Sequence, residues 1–396
     1  MEYIKLGDLF KITSGGTPSK KNNEFYDGGS IPWIKTGDLK VKYINSSSEY
    51  ITELAVEKSS AKLFPRGTVL IAMYGATIGA TSILNIEATT NQACCAFLPN
   101  NKIKAEYLYY FFIANKEKIV SMGVGGAQPN ISATILKEIK IPFSSLEKQI
   151  SIVNLLDKAQ ELINKRKEQI EALDELVKSQ FIEMFGDPVS NSKGWKKVIC
   201  KDISLKIGSG ATPSGGNSSY KEEGISLIRS MNVHNNKFVY KDLAFIDDEQ
   251  AKKLKNVIIE ENDILLNITG ASVARCCIVP SEIIPARVNQ HVSIVRTKQD
   301  IIIPVFLCYQ FTNDTYQRML WNIATSGGAT REAITKQQVE NLEVIIPPIE
   351  LQNKFAEFVK QIDKLKFEME ESLKELEDNF KSLMQKLFKC ELFNKK

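Results

Sequence analysis

Side chains able to hydrogen-bond base edges, or to hold phosphates, recur in this sequence just past short apolar runs and in Gly- or Asn-rich turns. In the first half they are Lys20, Lys21, Lys35, Thr36, Tyr74, Gln92, Gln128 and Asn130. In the second half they are Arg229, Asn232, Asn267, Thr269, Arg275, Gln290, His291, Thr330 and Arg331. Base reading needs Arg, Lys, Asn or Gln at loop tips, while Lys, Ser, Thr and backbone N–H groups position phosphates. The alternative for each residue is a solvated or turn-capping side chain. Asn91 and Asn289 read first as turn formers. His291 reads as a rim or interior histidine ahead of a base reader. Trp33, Trp195 and Trp321 read as core packing.

Other chemistries find little support. The seven cysteines are Cys94, Cys95, Cys200, Cys276, Cys277, Cys308 and Cys390, with no CxxC among them. An odd count with two adjacent pairs makes a poor disulfide framework, and buried reduced thiols are expected. The two histidines, His234 and His291, are far apart in sequence, so neither a zinc site nor any other metal site is expected. The Gly-rich stretch 121–126 lacks GxGxxG spacing, and no GxxxxGK[ST] or Asn-Pro-Pro-Tyr motif occurs. The acidic pairs Asp247-Asp248 and Glu260-Glu261 read as surface charge. These absences argue for a non-catalytic chain.

The elements that must position the candidate residues are legible in a duplication. Lys11-Ile12-Thr13-Ser14-Gly15-Gly16-Thr17-Pro18-Ser19 returns as Lys206-Ile207-Gly208-Ser209-Gly210-Ala211-Thr212-Pro213-Ser214. Ile31 to Thr36 returns as Ile225 to Ser230, Leu70 to Ala76 as Leu265 to Ala271, and Asn91-Gln92 as Asn289-Gln290. Gly125-Gly126-Ala127 matches Gly327-Gly328-Ala329, and Ile141-Pro142 matches Ile346-Pro347. A period near 200 residues is a domain duplication rather than a solenoid. Segments 76–90 and 271–288 do not align, so one scaffold carries two different variable surfaces. Strands are expected at 69–74, 93–97, 139–142, 225–229, 264–269, 292–296 and 342–346. Helices are expected at 105–121 and 304–324.

Each repeat ends in a long helix. Residues 146–185 place Leu156, Ala159, Ile163, Arg166, Ile170, Leu173, Val177, Phe181 and Met184 at steps of three and four. Residues 349–389 place Leu351, Phe355, Phe358, Ile362, Leu365, Met369, Leu373, Leu376, Phe380, Leu383 and Leu387 likewise. Such a seam, with one stutter near Leu373, calls for a partner helix, and each is the other's most economical one. About 40 residues make a helix of roughly 60 Å. Gly186-Asp187-Pro188 supplies the stop signal for the first.

Length and charge fit this plan. The 396 residues are 43% hydrophobic and 25% charged, as in a soluble chain of two or three domains. The net charge of +4 is spread unevenly: residues 1–145 carry +4 and 191–348 carry +3, while 146–190 carry −3 and 349–396 carry 0. Mildly basic modules suit phosphate contacts, and a solvated surface explains the excess equally well. No apolar run is long enough to span a bilayer and Met1 to Lys5 is no signal peptide, so a cytoplasmic protein is expected.

The whole chain resembles the specificity (S) subunit of Type I restriction–modification systems. Ser-Gly-Gly-Thr-Pro-Ser at 14–19 and Ser-Gly-Ala-Thr-Pro-Ser at 209–214 resemble the family's opening turn. Residues 125–132, Gly-Gly-Ala-Gln-Pro-Asn-Ile-Ser, resemble its late loop; the second copy departs from it, reading Gly-Gly-Ala-Thr-Arg-Glu-Ala-Ile at 327–334. Ile139 to Pro142 followed by Glu147-Lys148-Gln149-Ile150 resembles its passage into the helix, and Phe181 to Pro188 its inter-repeat junction. The resemblance implies an α+β fold: two duplicated mixed α/β target recognition domains joined by two long helices forming an antiparallel coiled coil. It implies target recognition domains at 1–145 and 189–348 and spacer helices at 146–188 and 349–396. Leu156, Ile163, Ile170, Leu173, Val177, Phe355, Phe358, Ile362, Leu365, Leu376, Phe380 and Leu383 are the expected interface of the helix pair.

The function implied is reading of a split double-stranded DNA target, with two methyltransferase (M) subunits docked on the helices and restriction/translocase (R) subunits joining them. S-adenosylmethionine, ATP and Mg would then belong to those partners and no cofactor to this chain. A rod of about 60 Å exceeds one DNA turn of ~34–36 Å, so a gap between the half-sites follows. A coiled-coil scaffold, or the specificity subunit of a methylation-only or other phage-defence complex, is the alternative.

Overall fold

The computed structural model describes residues 2–123, 130–213, 215–326 and 332–388. The chain divides into two compact units, Met1–Lys167 with Glu371–Lys396, and Glu168–Glu370. Each unit therefore combines one duplicated module with part of both long helices, and the division falls inside the helices rather than at their ends.

In the first unit the central strand Val69–Ala72 lies between Cys94–Phe97 and Thr81–Leu84, antiparallel to both. All four of its residues are buried. Successive side chains point to opposite faces of a strand. Val69 and Ile71 join the core with Phe97, Tyr107 and Phe111, while Leu70 joins a second core with Leu84 and Ala96. The second unit repeats this arrangement. Ile264–Asn267 runs antiparallel between Val292–Thr297 and Cys276–Ile278, with Ile264 and Leu266 in one core and Leu265 in the other. A strand parallel to the end of the variable segment also recurs: Ile31–Ile34 pairs with Ala88–Thr90, and Ile225–Ile228 with Ala286–Val288.

The same alternation disposes of the adjacent cysteines. Cys94 and Cys95 face different cores, as do Cys276 and Cys277. The six described cysteines are buried and free. Burial pushes the Cys94 and Cys95 thiols up to about 12, which leaves them inert. Cys390 lies outside the described residues.

Each expected strand is present with its ends shifted by up to two residues. The two short helices differ more. The first breaks into Ala105–Ala114 and Lys116–Ser121, the second into Pro304–Thr312 and Asp314–Thr325. Asn313 causes the second break: its extended backbone lets its side chain accept from the N–H groups of Thr315 and Tyr316, starting a new helix. Trp33 is buried with its ring N–H donating to Gly16 O, and Trp195 donates to Phe185 O. Trp321 departs from the expectation. It is 42% exposed, because the amphipathic helix Asp314–Thr325 turns Tyr316, Leu320 and Ala324 inward instead.

The long helices run Leu146–Phe185 and Ile349–Phe388. In the first unit Ile152, Val153 and Leu156 share a core with Met384, Leu387 and Phe388, and Lys167 pairs with Glu377 at 2.7 Å. In the second unit Val177, Phe181 and Phe185 share a core with Phe355 and Val359, and Lys366 pairs with Asp174 at 2.5 Å. Within each unit the early part of one helix meets the late part of the other, so the pair is antiparallel. Ile163 and Leu173 are also buried, while Ile170, Phe358, Ile362, Leu376, Phe380 and Leu383 are half-buried. Leu365 stands off the seam, 38% exposed.

Two glutamines tie these helices to their modules. Gln149 accepts from Lys104 N and donates to Lys102 O and Ser144 O, all at 2.9 Å. Gln352 accepts from Ile303 N at 2.8 Å and donates to Pro347 O at 2.9 Å and Ile301 O at 3.2 Å. Both side chains are fully buried. Gln352→Leu would strand the backbone groups it now satisfies, and is expected to destabilise the second unit by about 3 kcal/mol. Urea denaturation of the full chain measures this, and a loss under about 1 kcal/mol would show the anchor to be dispensable.

Candidate nucleic-acid interface

The candidate residues sit on one backbone frame built twice. Gly16 N donates to Thr90 O and Gly210 N to Asn289 O, docking each opening turn on the chain ahead of a glutamine. A Cβ on Gly15 would lie 2.1 Å from Thr90 O, and one on Gly210 only 1.8 Å from Val288 O, so the close approach requires glycine. Asn91 N donates to Ile34 O as Asn289 N does to Ile228 O. Met73 N donates to Ala93 O as Ile268 N does to His291 O, and Ile131 N to Met73 O as Ile334 N to Ile268 O. Gly79 N donates to Ala72 O as Ala274 N does to Asn267 O, with φ of 77° and 71°.

This correspondence keeps the pairs that sequence matching gave and extends them into segments it left unaligned. Gln92 answers to Gln290, but Ala93 to His291, Tyr74 to Thr269 and Ala80 to Arg275. The frame is shared and the side chains on it differ.

In the second module Thr269, Arg275 and His291 line an open cavity of about 540 Å³, together with Ser230, Met231 and Glu332. Thr269 and His291 in its wall belong to a chain of four hydrogen-bonded side chains. Thr212 Oγ1 donates to Gln290 Oε1, Gln290 Nε2 lies 3.1 Å from His291 Nε2, and His291 Nδ1 lies 2.5 Å from Thr269 Oγ1. An amide nitrogen only donates, so His291 Nε2 is the acceptor of that pair. Among the described residues the Arg275 guanidinium has no hydrogen bond or ion pair. An unpaired guanidinium beside hydroxyl donors suits acceptor-rich base edges or phosphate oxygens.

The remaining candidates divide. Arg229 donates to Asp242 O and lies 5.3 Å from the Tyr220 ring centre. Its counterpart Lys35 is neutralised by Glu49 and sits over Trp33. Thr36 and Tyr74 are half-buried, and burial raises the Tyr74 phenol. Lys20, Lys21, Gln92 and Asn130 are exposed, and Gln92 accepts from Thr17.

Asn232 and Asn267 must be withdrawn as base readers, since both are fully buried. Asn232 accepts from Arg229 N at 3.0 Å and donates to Val239 O at 2.9 Å, while Asn267 donates to Ser230 O at 2.9 Å. Their amides hold turns that fold back over them. Gln128, Thr330 and Arg331 lie outside the described residues. Sequence reasoning missed Ser230, Met231 and Glu332 in the cavity wall. It also missed Thr17 and Thr212, although the repeated Thr-Pro carried the signal.

Comparison with known proteins agrees with this geometry. The type I restriction modification DNA specificity domain matches residues 1–172 and again 192–378. The type I restriction enzyme MjaIX specificity subunit of Methanocaldococcus jannaschii is 28% identical over 380 residues, covering 90% of this chain and 85% of that protein. Among solved structures, a chain from work on complex assembly and conformational transition of the type I R-M system aligns over 98% of this chain and 97% of its own. Its TM-score is 0.66 at 17% identity. The S subunit of the M. genitalium type I restriction-modification system covers 98% of this chain and 96% of its own, at TM-score 0.51 and 16% identity. With both modules matched and the same frame standing behind each, this chain belongs to the family of type I restriction–modification DNA specificity proteins.

Proposed function

We propose that this chain reads a split double-stranded DNA sequence for a type I restriction–modification complex, one half-site to each module. The observation that carries this reading is the frame built twice with different side chains on it. Tyr74, Ala80 and Ala93 in one module become Thr269, Arg275 and His291 in the other. Two such surfaces read two different half-sites. The helix pair joins the modules and docks two methyltransferase subunits, and restriction/translocase subunits complete the assembly. S-adenosylmethionine, ATP and Mg act on those partners, and this chain contributes recognition rather than catalysis. Among the described residues no helix is long and apolar enough to cross a membrane.

Exchanging residues 196–345 for the equivalent module of another family member tests the reading. In the complex with its methyltransferase, the methylated sequence is expected to change in one half-site and to keep the other. Sequencing the modified bases reports both halves and the gap together. A change in both halves rejects modular reading. If the complex selects no sequence from a random library, the chain is a coiled-coil scaffold instead.

A further inference from the structure

We propose that Thr17 and Thr212 are positioning residues that hold the Gln92 and Gln290 amides in place to donate to DNA, setting base preference at one position in each half-site. The inference rests on the DNA-reading function above. Its basis is an interaction made twice across 75 and 78 residues of sequence: Thr17 Oγ1 donates to Gln92 Oε1, and Thr212 Oγ1 to Gln290 Oε1. Both glutamines are exposed residues. An exposed glutamine is ordinarily free to rotate, and ordering it on binding costs affinity. Here the hydroxyl removes that freedom in advance.

The threonines are themselves held. Each precedes a proline, Pro18 or Pro213, which confines it to extended backbone. Each follows the glycine turn whose approach to Thr90 O or Val288 O excludes a side chain. In the first module Gly16 O also accepts from the buried Trp33 ring. The turn, the threonine and the glutamine thus form one rigid unit.

The geometry also fixes which end of the amide faces outward. The carbonyl is turned onto the threonine, so the NH₂ group is presented. A glutamine with both ends free pairs with adenine as donor and acceptor at once. Held this way it acts as a donor, matched to N7 or O6 of guanine, N7 of adenine, O4 of thymine, or a phosphate oxygen. The modules differ in how many protons remain. Gln290 directs one N–H to His291, whereas the corresponding position in the first module is Ala93, which among the described residues leaves both N–H groups of Gln92 available.

The test uses the full chain assembled with its methyltransferase and a randomised duplex library. Thr212→Val keeps the shape and removes the hydroxyl. It is expected to lower discrimination about two- to tenfold at one base pair of the half-site read by the second module. The other half-site and the melting temperature should stay as in the parent. Thr212→Ala should behave alike, and Thr212→Ser should restore discrimination. Adding Thr212→Val to Gln290→Ala should change nothing further. Thr17→Val should produce the same effect in the opposite half-site.

Base preferences unchanged in Thr212→Val and Thr212→Ala would overturn the proposal. So would uniform weakening across all sequences, or additivity with Gln290→Ala. Should the parent complex itself select no split sequence, the functional reading falls. Should the parent select one and the threonine variants match it, positioning alone falls.

Discussion

Phe355→Ala is expected to destabilise the second unit by about 3–5 kcal/mol. Phe355 is fully buried, with ring centres 5.5 Å from both Phe181 and Phe185 and 5.3 Å from Tyr309. Phe306 closes the cluster, 4.7 Å from Phe185 and 5.6 Å from Phe181. All five of these contacts are edge-on or stacked pairs that add to simple burial. The rings come from both long helices and from the helix Pro304–Thr312, so together they fasten the helix pair to the second module. Removing the central one opens a cavity lined by rings that cannot close over it. Urea unfolding of the full chain measures the loss, and the first unit should be spared because the cluster lies wholly in the second. Phe355→Leu, which refills part of the space, should recover more than half of the loss. An alanine variant within about 1 kcal/mol of the parent would mean that the cluster relaxes freely.

Arg296→Met is expected to cost a comparable 3–5 kcal/mol, roughly, by leaving a buried carboxylate without its partner. Asp263 is fully buried and accepts from Arg296 Nε at 2.7 Å and Nη2 at 2.8 Å, as well as from Glu260 N at 2.8 Å. The bidentate pair raises the Arg296 pKa further above its ordinary value, so the charge persists at any working pH. The first module shows that the frame does not need this pair. Thr68 occupies the position of Asp263, making the same turn through Thr68 N to Pro65 O as Asp263 N makes to Glu260 O. Strand register places Leu98 opposite it where the second module has Arg296. The double change Asp263→Thr with Arg296→Leu should therefore recover most of what Arg296→Met loses. A double variant no more stable than the single one would mean that the pair, rather than the leftover charge, supplies the stability.

Much of this architecture follows from local patterning. Both long helices were legible because three-four periodicity without Gly or Pro is a one-dimensional property, and Gly186 ends the first with φ of 75°. The strands were legible from apolar runs between turns, and the duplication from framework residues held at nearly constant spacing. What failed was what a single side chain decides in space. Asn313 restarts a helix by reaching forward to two N–H groups, which periodicity cannot register. Asn232 and Asn267 had the right type and position for reading bases, but short turns folded over them and took up their amides.

The candidate site was legible as a set of loops and not as an arrangement. Thr269, Arg275 and His291 lie within 23 residues and were all named from sequence, yet only the fold shows that they share one cavity. Gln149 stood in a recognisable motif, but its task and that of Gln352 depend on carbonyls 47 and 51 residues away. Thr17 and Thr212 were visible as repeated letters, and their glutamines as exposed candidates. Their pairing needed the opening turn to be carried across the sheet. The two copies, their strands and their helices could be read in one dimension, because those rest on neighbours along the chain. The tertiary structure decided which polar side chains remain available and which are spent, because a hydrogen bond between distant residues leaves no trace in local pattern.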